Sequence, residues 1–178
     1  MRLVVLDTET TGLNRSRNGE GVAYGHRIVE VGCVEIIDGV VTGNRFHVYV
    51  NPSRSIDPKA TAIHGITDAF VKDKPPFESI VGDFLEFIGG SCIVIHNAAF
   101  DISFLDQEFQ LLTAGKPVGV VFEYIDTLEL ARGYFPGLKN NLDSLCERFG
   151  IETRGGFHGA LLDAYLLAHI YLRFTKLH

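Results

Sequence analysis

Apolar and polar positions alternate between two periods along this chain. Leu3–Leu6 is a short continuous apolar run with the signature of a buried strand. Arg27–Ile37 ("RIVEVGCVEII") reads as a second strand. Asp38-Gly39 is a hairpin turn signal, and Arg45–Val50 continues into a third strand that extends back toward Val40. The first part of the chain is therefore an antiparallel meander. The stretch "IDPKATAIHGITD", with Pro58 and Gly65, predicts a short helix broken by a turn. From Phe77 to Ile88 the period changes. Ile80, Val81, Phe84, Leu85 and Ile88 share one helical face, and Gly89-Gly90 ends the helix. Cys92–His96 predicts a buried strand, Phe100–Leu112 a helix, and "VVFEYID" (Val120–Asp126) a further strand. Helices follow at Leu128–Tyr134, Leu142–Phe149 and Ala160–Phe174. A meander followed by alternating helices and strands implies an α/β fold with helices packed on a mixed sheet. Asn14–Gly25 is polar and glycine-rich and reads as a mobile loop. No repeat or linker divides the chain, so residues 1–178 are expected to form a single domain.

Composition narrows the class. With 178 residues, 46% hydrophobic and 21% charged, the chain has enough material for one sizeable core and is too apolar for disorder. No apolar run approaches a membrane span, and the strand-like start leaves no room for a signal peptide. Cys33, Cys92 and Cys146 are scattered and lack metal-ligand spacing, which suits reduced core thiols in a cytoplasmic protein. The net charge of −6, with Lys and Arg dispersed, argues against a large nucleic-acid footprint gripped by a basic patch. A short footprint, or contact mediated by metal or by a partner, remains compatible.

The candidate chemistry lies in the acids. In "VVLDTETTG", Asp7 and Glu9 are two apart in a strand and share a face, whereas Thr8 points the other way. Asp101 follows the strand at Cys92–His96. If that strand is parallel and adjacent to the first, Asp101 arrives at the edge where open α/β sheets build sites. Asp163 interrupts an apolar helix. Four carboxylates in one space would raise one another's pKa, and a hard divalent cation relieves the repulsion. Two such ions support phosphodiester cleavage. His158 precedes Asp163 by five residues, too far round a continuous helix to share its face, so it is expected on the loop entering the helix. Gly155, Gly156 and Gly159 give that loop freedom, and a near-neutral imidazole there suits a general base. Each residue alone has a plainer reading. Asp7 and Glu9 could be a solvated strand end, Asp101 a first-turn helix acid, Asp163 a partner of Arg132, and His158 an ordinary loop residue. Their joint placement outweighs these readings.

The segments "VVLDTETTGL", Phe46–Val50, "HGIT", "VIHNAAFDISFLDQEF" and "HGALLDAYLLAHIYL" resemble the DEDD exonucleases of the subtype with a catalytic histidine. Within that family they resemble the proofreading (epsilon) subunits of bacterial DNA polymerase III. The likeness covers nearly the whole chain in the family's motif order. It implies an RNase H-like fold, with a mixed five-stranded sheet and helices on both faces. It also implies 3′→5′ removal of nucleoside monophosphates from a single-stranded DNA 3′ end. By resemblance, two divalent cations, Mg²⁺ or Mn²⁺, would be held by Asp7, Glu9, Asp101 and Asp163, and His158 would deprotonate the attacking water. Thr10, Leu13, His64 and Asn97 would hold the terminal nucleotide, with Leu13 wedging against its base and Lys59 reaching a phosphate. His64 has an equal alternative as a turn-stabilising residue. The implied partners are the DNA polymerase III catalytic subunit and other replisome subunits. Those proofreading subunits continue into a polymerase-binding tail, whereas this sequence stops at His178, which leaves polymerase attachment open. An RNA-trimming exonuclease or oligoribonuclease is the nearest rival, since contacts to the 2′-hydroxyl are not legible in a sequence. A non-catalytic binding module of the same fold is the more distant one.

Overall fold

The computed structural model describes residues 1–15, 21–113, 122–153 and 155–177. The meander is β1 (Arg2–Thr10), β2 (Ile28–Ile37) and β3 (Val40–Tyr49). Asp38-Gly39 turns β2 into β3 with both residues at positive φ. Next come α1 (Pro58–His64), α2 (Asp68–Val71), α3 (Phe77–Ile88), β4 (Cys92–Ile95) and α4 (Ala98–Leu112). The chain continues through β5 (Tyr124–Asp126), α5 (Thr127–Tyr134), α6 (Leu142–Phe149) and α7 (Ala160–Phe174). The five strands form one mixed sheet in the order β3-β2-β1-β4-β5. β1, β2 and β3 pair antiparallel, while β4 runs parallel to both β1 and β5.

Both faces of the sheet are covered, as the pattern required. On one face Val4 and Leu6 pack with Phe84 of α3 and with Phe104 and Leu105 of α4. On the other, Leu3 and Val5 pack with Ala164, Leu167 and Tyr171 of α7. This is the period-2 alternation of a strand buried on both sides. A tight contact fixes α7. A Cβ on Gly32 of β2 would lie 2.2–2.5 Å from the backbone of Ala160 and Leu161. Gly32 therefore lets the first turn of α7 rest directly on the sheet.

β1 runs on past the Leu3–Leu6 apolar run through Asp7 and Glu9 to Thr10, one strand carrying both acids. Its polar end is held by pairing, with Asp7 opposite Gly32 and Glu9 opposite Glu30. Local apolar content carries no sign of that ladder. β5 is shorter than the Val120–Asp126 run suggests. Residues 120–121 lie outside the described residues, and regular pairing begins at Tyr124. Residues 16–20 of the expected loop are likewise outside. Of the thiols, Cys33 and Cys146 are buried as expected, while Cys92 is partly open; none of the three forms a disulfide.

Candidate active site

Asp7 and Glu9 sit near the C-terminal end of β1 on the α7 face, directly opposite Gly32 and Glu30. The first turn of α7 lies on Gly32, which places Asp163 over the same spot. Glu9, His158 and Asp163 each bring a ligand atom within 4.8 Å of the other two. His158 lies on the loop before α7, as expected. Its backbone N–H donates to the Ile63 carbonyl at 3.0 Å, and its Nδ1 lies 3.5 Å from Asp163 Oδ2.

Asp101 reaches the cluster from the other face. α4 packs on the Val4–Leu6 side, and Asp101, in its first turn, is buried. One of its oxygens, Oδ1, accepts from the Thr8 backbone N–H at 3.0 Å and from Thr8 Oγ1 at 2.7 Å. The alternation that turns Thr8 away from Asp7 and Glu9 is what lets it hold Asp101. The acids thus come from both sides of one strand end. The electrostatics agree with the expected repulsion. Burial, followed by the charges of Asp101, Glu9, Asp163 and Glu30, holds the Asp7 carboxyl well above the ordinary carboxylate range. Burial pushes Asp101 up to about 7 against the lowering effect of the Thr8 hydrogen bonds. Crowded oxygen donors with raised pKa values fit a hard divalent cation, which favours their ionised form.

A pocket of about 220 Å³ opens beside Glu9. Thr10, Leu13, Lys59 and His64 line it, together with Gly12, Arg15, Asp57, Ala60, Ile63 and Phe100. His64 is buried, with both ring nitrogens engaged. The Ile66 N–H donates to Nδ1 at 3.0 Å, so Nε2 carries the proton and donates to the Thr10 carbonyl at 3.1 Å. It clasps the turn to the end of β1, in line with its turn-stabilising alternative, while forming part of the pocket wall. Asn97 stands outside the pocket lining. It is exposed at the N-cap of α4 with φ +65, and its backbone N–H donates to Asp126 Oδ1.

Sequence reasoning missed Thr8, Glu30, Ile63 and Phe100. Glu30 is a fifth acid, buried and held by His47 Nε2 at 2.7 Å from its Oε1. The β1–β2 register, which sets it opposite Glu9, has no local sequence signal. Phe100 was findable, because it immediately precedes Asp101.

Three comparisons place this arrangement among known proteins. Residues 4–171 match the exonuclease family model. The chain is 50% identical to the DNA polymerase III subunit epsilon of Salmonella typhimurium over 177 residues, covering 98% of this chain and 71% of the relative. It is 49% identical to the Escherichia coli subunit over a similar span, again 71% of that relative. Among solved structures, exonuclease X in complex with 5′ overhanging duplex DNA superposes with a TM-score of 0.72 at 32% identity, covering 98% of this chain and 91% of the other. The nuclease domain of 3′hExo, a DEDDh family member bound to rAMP, superposes at 0.77 with 18% identity over 98% and 92% of the two chains, a likeness of fold. These neighbours share the RNase H-like architecture seen here. On the family match and on half its residues shared with polymerase III epsilon subunits, the chain belongs to the exonuclease family.

Proposed function

We propose that the protein removes nucleoside monophosphates one at a time from the 3′ end of a DNA strand, as the proofreading exonuclease of a bacterial replicative polymerase. The observation that carries this reading is the convergence of Asp7, Glu9, Asp101 and Asp163, from β1, α4 and α7, at one strand end beside His158. The identity to polymerase III epsilon subunits supports DNA as the substrate and a polymerase as the partner.

In this reading Asp7, Glu9, Asp101 and Asp163 hold two divalent cations, Mg²⁺ or Mn²⁺. Bound cations supply Lewis acidity and positive charge at the scissile phosphate. The chain's own residues do the rest. Leu13, Ile63 and Phe100 give the pocket apolar walls for a terminal base and sugar, and Lys59 supplies a cation for phosphate. Thr8 fixes the orientation of Asp101. His158, with Nδ1 turned toward Asp163, takes the proton of the attacking water on its imidazole. His64 shapes the wall through its clasp on Thr10, and Asn97 meets the strand outside the pocket. Residues 1–178 act as one domain. No helix among the described residues is long and apolar enough to cross a membrane, and cysteines outside any disulfide suit the cytoplasm.

The test is release of monophosphates from 3′-labelled single-stranded DNA, mismatched primer ends and a matched RNA oligomer, with and without Mg²⁺. DNA is degraded with metal, and Asp7→Ala abolishes the release. Full activity in that variant removes Asp7 from the site. Faster digestion of RNA than of DNA overturns the proofreading assignment in favour of RNA trimming.

A further inference from the structure

The loop that carries His158 has Gly155, Gly156 and Gly159 around the histidine, so its own backbone constrains the imidazole little. Two contacts with the end of α1 supply the constraint. One is the hydrogen bond from the His158 N–H to the Ile63 carbonyl at 3.0 Å. The other is the ring of Phe157, which packs against Gly65. A Cβ at Gly65 would fall 2.9 Å from the ring's Cδ2 and 3.0 Å from its Cγ, so the ring occupies the space a side chain would need. Gly65 also holds φ +73 as the C-cap of α1, a conformation that favours glycine.

Phe157 is otherwise an anomaly. It is a large apolar side chain, 65% exposed, adjacent to the candidate base. Meanwhile α1 forms a wall of the nucleotide pocket through Lys59, Ile63 and His64, and His64 ties that wall to Thr10, next to Glu9. The same helix end therefore touches the pocket, the carboxylate strand and the histidine loop.

We infer that Phe157 is a positioning residue: seated on Gly65, it holds the His158 loop against α1, so that the base is placed relative to the wall of the pocket that receives the nucleotide. The inference rests on the exonuclease reading above. Contact with α1 restricts the loop to conformations in which the imidazole faces Asp163. Without the ring, the glycine-rich loop loses its side-chain seat on α1, and the imidazole samples positions from which it cannot reach the water.

A double-mutant cycle on single-stranded DNA with Mn²⁺ tests this. Phe157→Ala removes an exposed ring and leaves the fold's melting temperature within a few degrees. Its kcat is expected to fall about 10- to 100-fold, the scale of a small misplacement of a catalytic group, with KM changed less than about twofold. Phe157→Leu, which keeps an apolar contact on Gly65, recovers most of the loss. In a His158→Ala background Phe157→Ala costs nothing further, because it acts through the base. An unchanged kcat, a loss confined to KM, or an additive loss in the double variant overturns the inference. A loss confined to KM assigns the ring to stacking on the nucleic acid instead. Absence of metal-dependent activity in the wild-type protein is a different failure. It sinks the exonuclease reading, and the positioning role falls with it.

Discussion

At the scale of single residues, what matters is how each ionisable group is held. His64 is neutral in the fold, since Nδ1 accepts from Ile66 and Nε2 donates to Thr10. Burial lowers its pKa below the ordinary 6.5, outweighing the raising effect of the Thr10 hydrogen bond. A histidine with a depressed folded pKa stabilises fully above its unfolded pKa, and that contribution is lost as pH falls below about 6.5. Denaturant titrations of wild type and His64→Gln across pH 5–8 should therefore show a stability difference that shrinks toward the acid end. A difference independent of pH would mean His64 titrates normally. His158 belongs to the same scale, and the proposed function gives it a chemical role. His158→Ala should keep the melting temperature and divalent-cation binding while slowing single-turnover cleavage by roughly 10²–10⁴. Retained rate would transfer the base to another group, and loss of fold would make the histidine structural.

At the scale of elements, one carboxylate organises the far side of the site. Asp126, the last residue of β5, accepts from the Leu128 N–H at 2.8 Å and so caps α5. It also accepts from the Asn97 and Ala98 N–H groups, each at 3.0 Å, at the start of α4. Two helix N-termini, whose donors lack partners within the helix, thus share one acid. Losing it should cost about 1 kcal/mol at each helix end, roughly 2 kcal/mol together. Because α4 carries Asp101, Asp126→Ala should also weaken Mn²⁺ affinity, measured by calorimetry. Destabilisation with unchanged metal affinity would show that α4 is fixed by its core face alone. Glu108 makes a second tie between elements. It is buried on α4, takes the Arg27 guanidinium on both oxygens at 2.8 and 2.7 Å, and accepts from the Ile28 N–H at the start of β2. Neither tie announces itself in the sequence, because Asp126 and Asn97 are 29 residues apart and Glu108 and Arg27 are 81 apart.

At the scale of the whole molecule, the fold gathers like charges that oppose it. Burial and neighbouring acids raise Asp7, and burial raises Asp101 to about 7, from an ordinary value of 3.8. A carboxyl whose folded pKa lies above its unfolded one binds extra protons in the fold. Stability of the metal-free protein therefore declines as pH rises from about 4 to about 7. A cation offsets that repulsion. Adding Mn²⁺ to protein treated with EDTA should raise the melting temperature by several degrees at pH 8, since saturation at 100 times Kd contributes about 2.7 kcal/mol. The gain should be much smaller at pH 5.5, where protons compete for the same oxygens. An equal shift at both pH values would place the bound ion elsewhere.

Local pattern was enough to locate most elements. α3, α6 and α7 fall where the helical period predicts, and the Asp38-Gly39 turn separates the paired strands. The acids, the histidine and the motif spacing marked the candidate site, because carboxylates in apolar runs need a compensating reason to be there. The sequence could not show which residues face one another across the sheet. Register set Glu30 opposite Glu9 and Gly32 beneath α7, and so extended β1 past its apolar stretch. The packing of α4 on the opposite face from α7 gave Asp101 to Thr8. The end of α1, through Ile63 and Gly65, received the His158 loop. Periodicity along a chain is a local property set by backbone geometry, so it can be read from neighbours in sequence. Which distant groups meet depends on how whole faces pack, and that was decided by the tertiary structure alone.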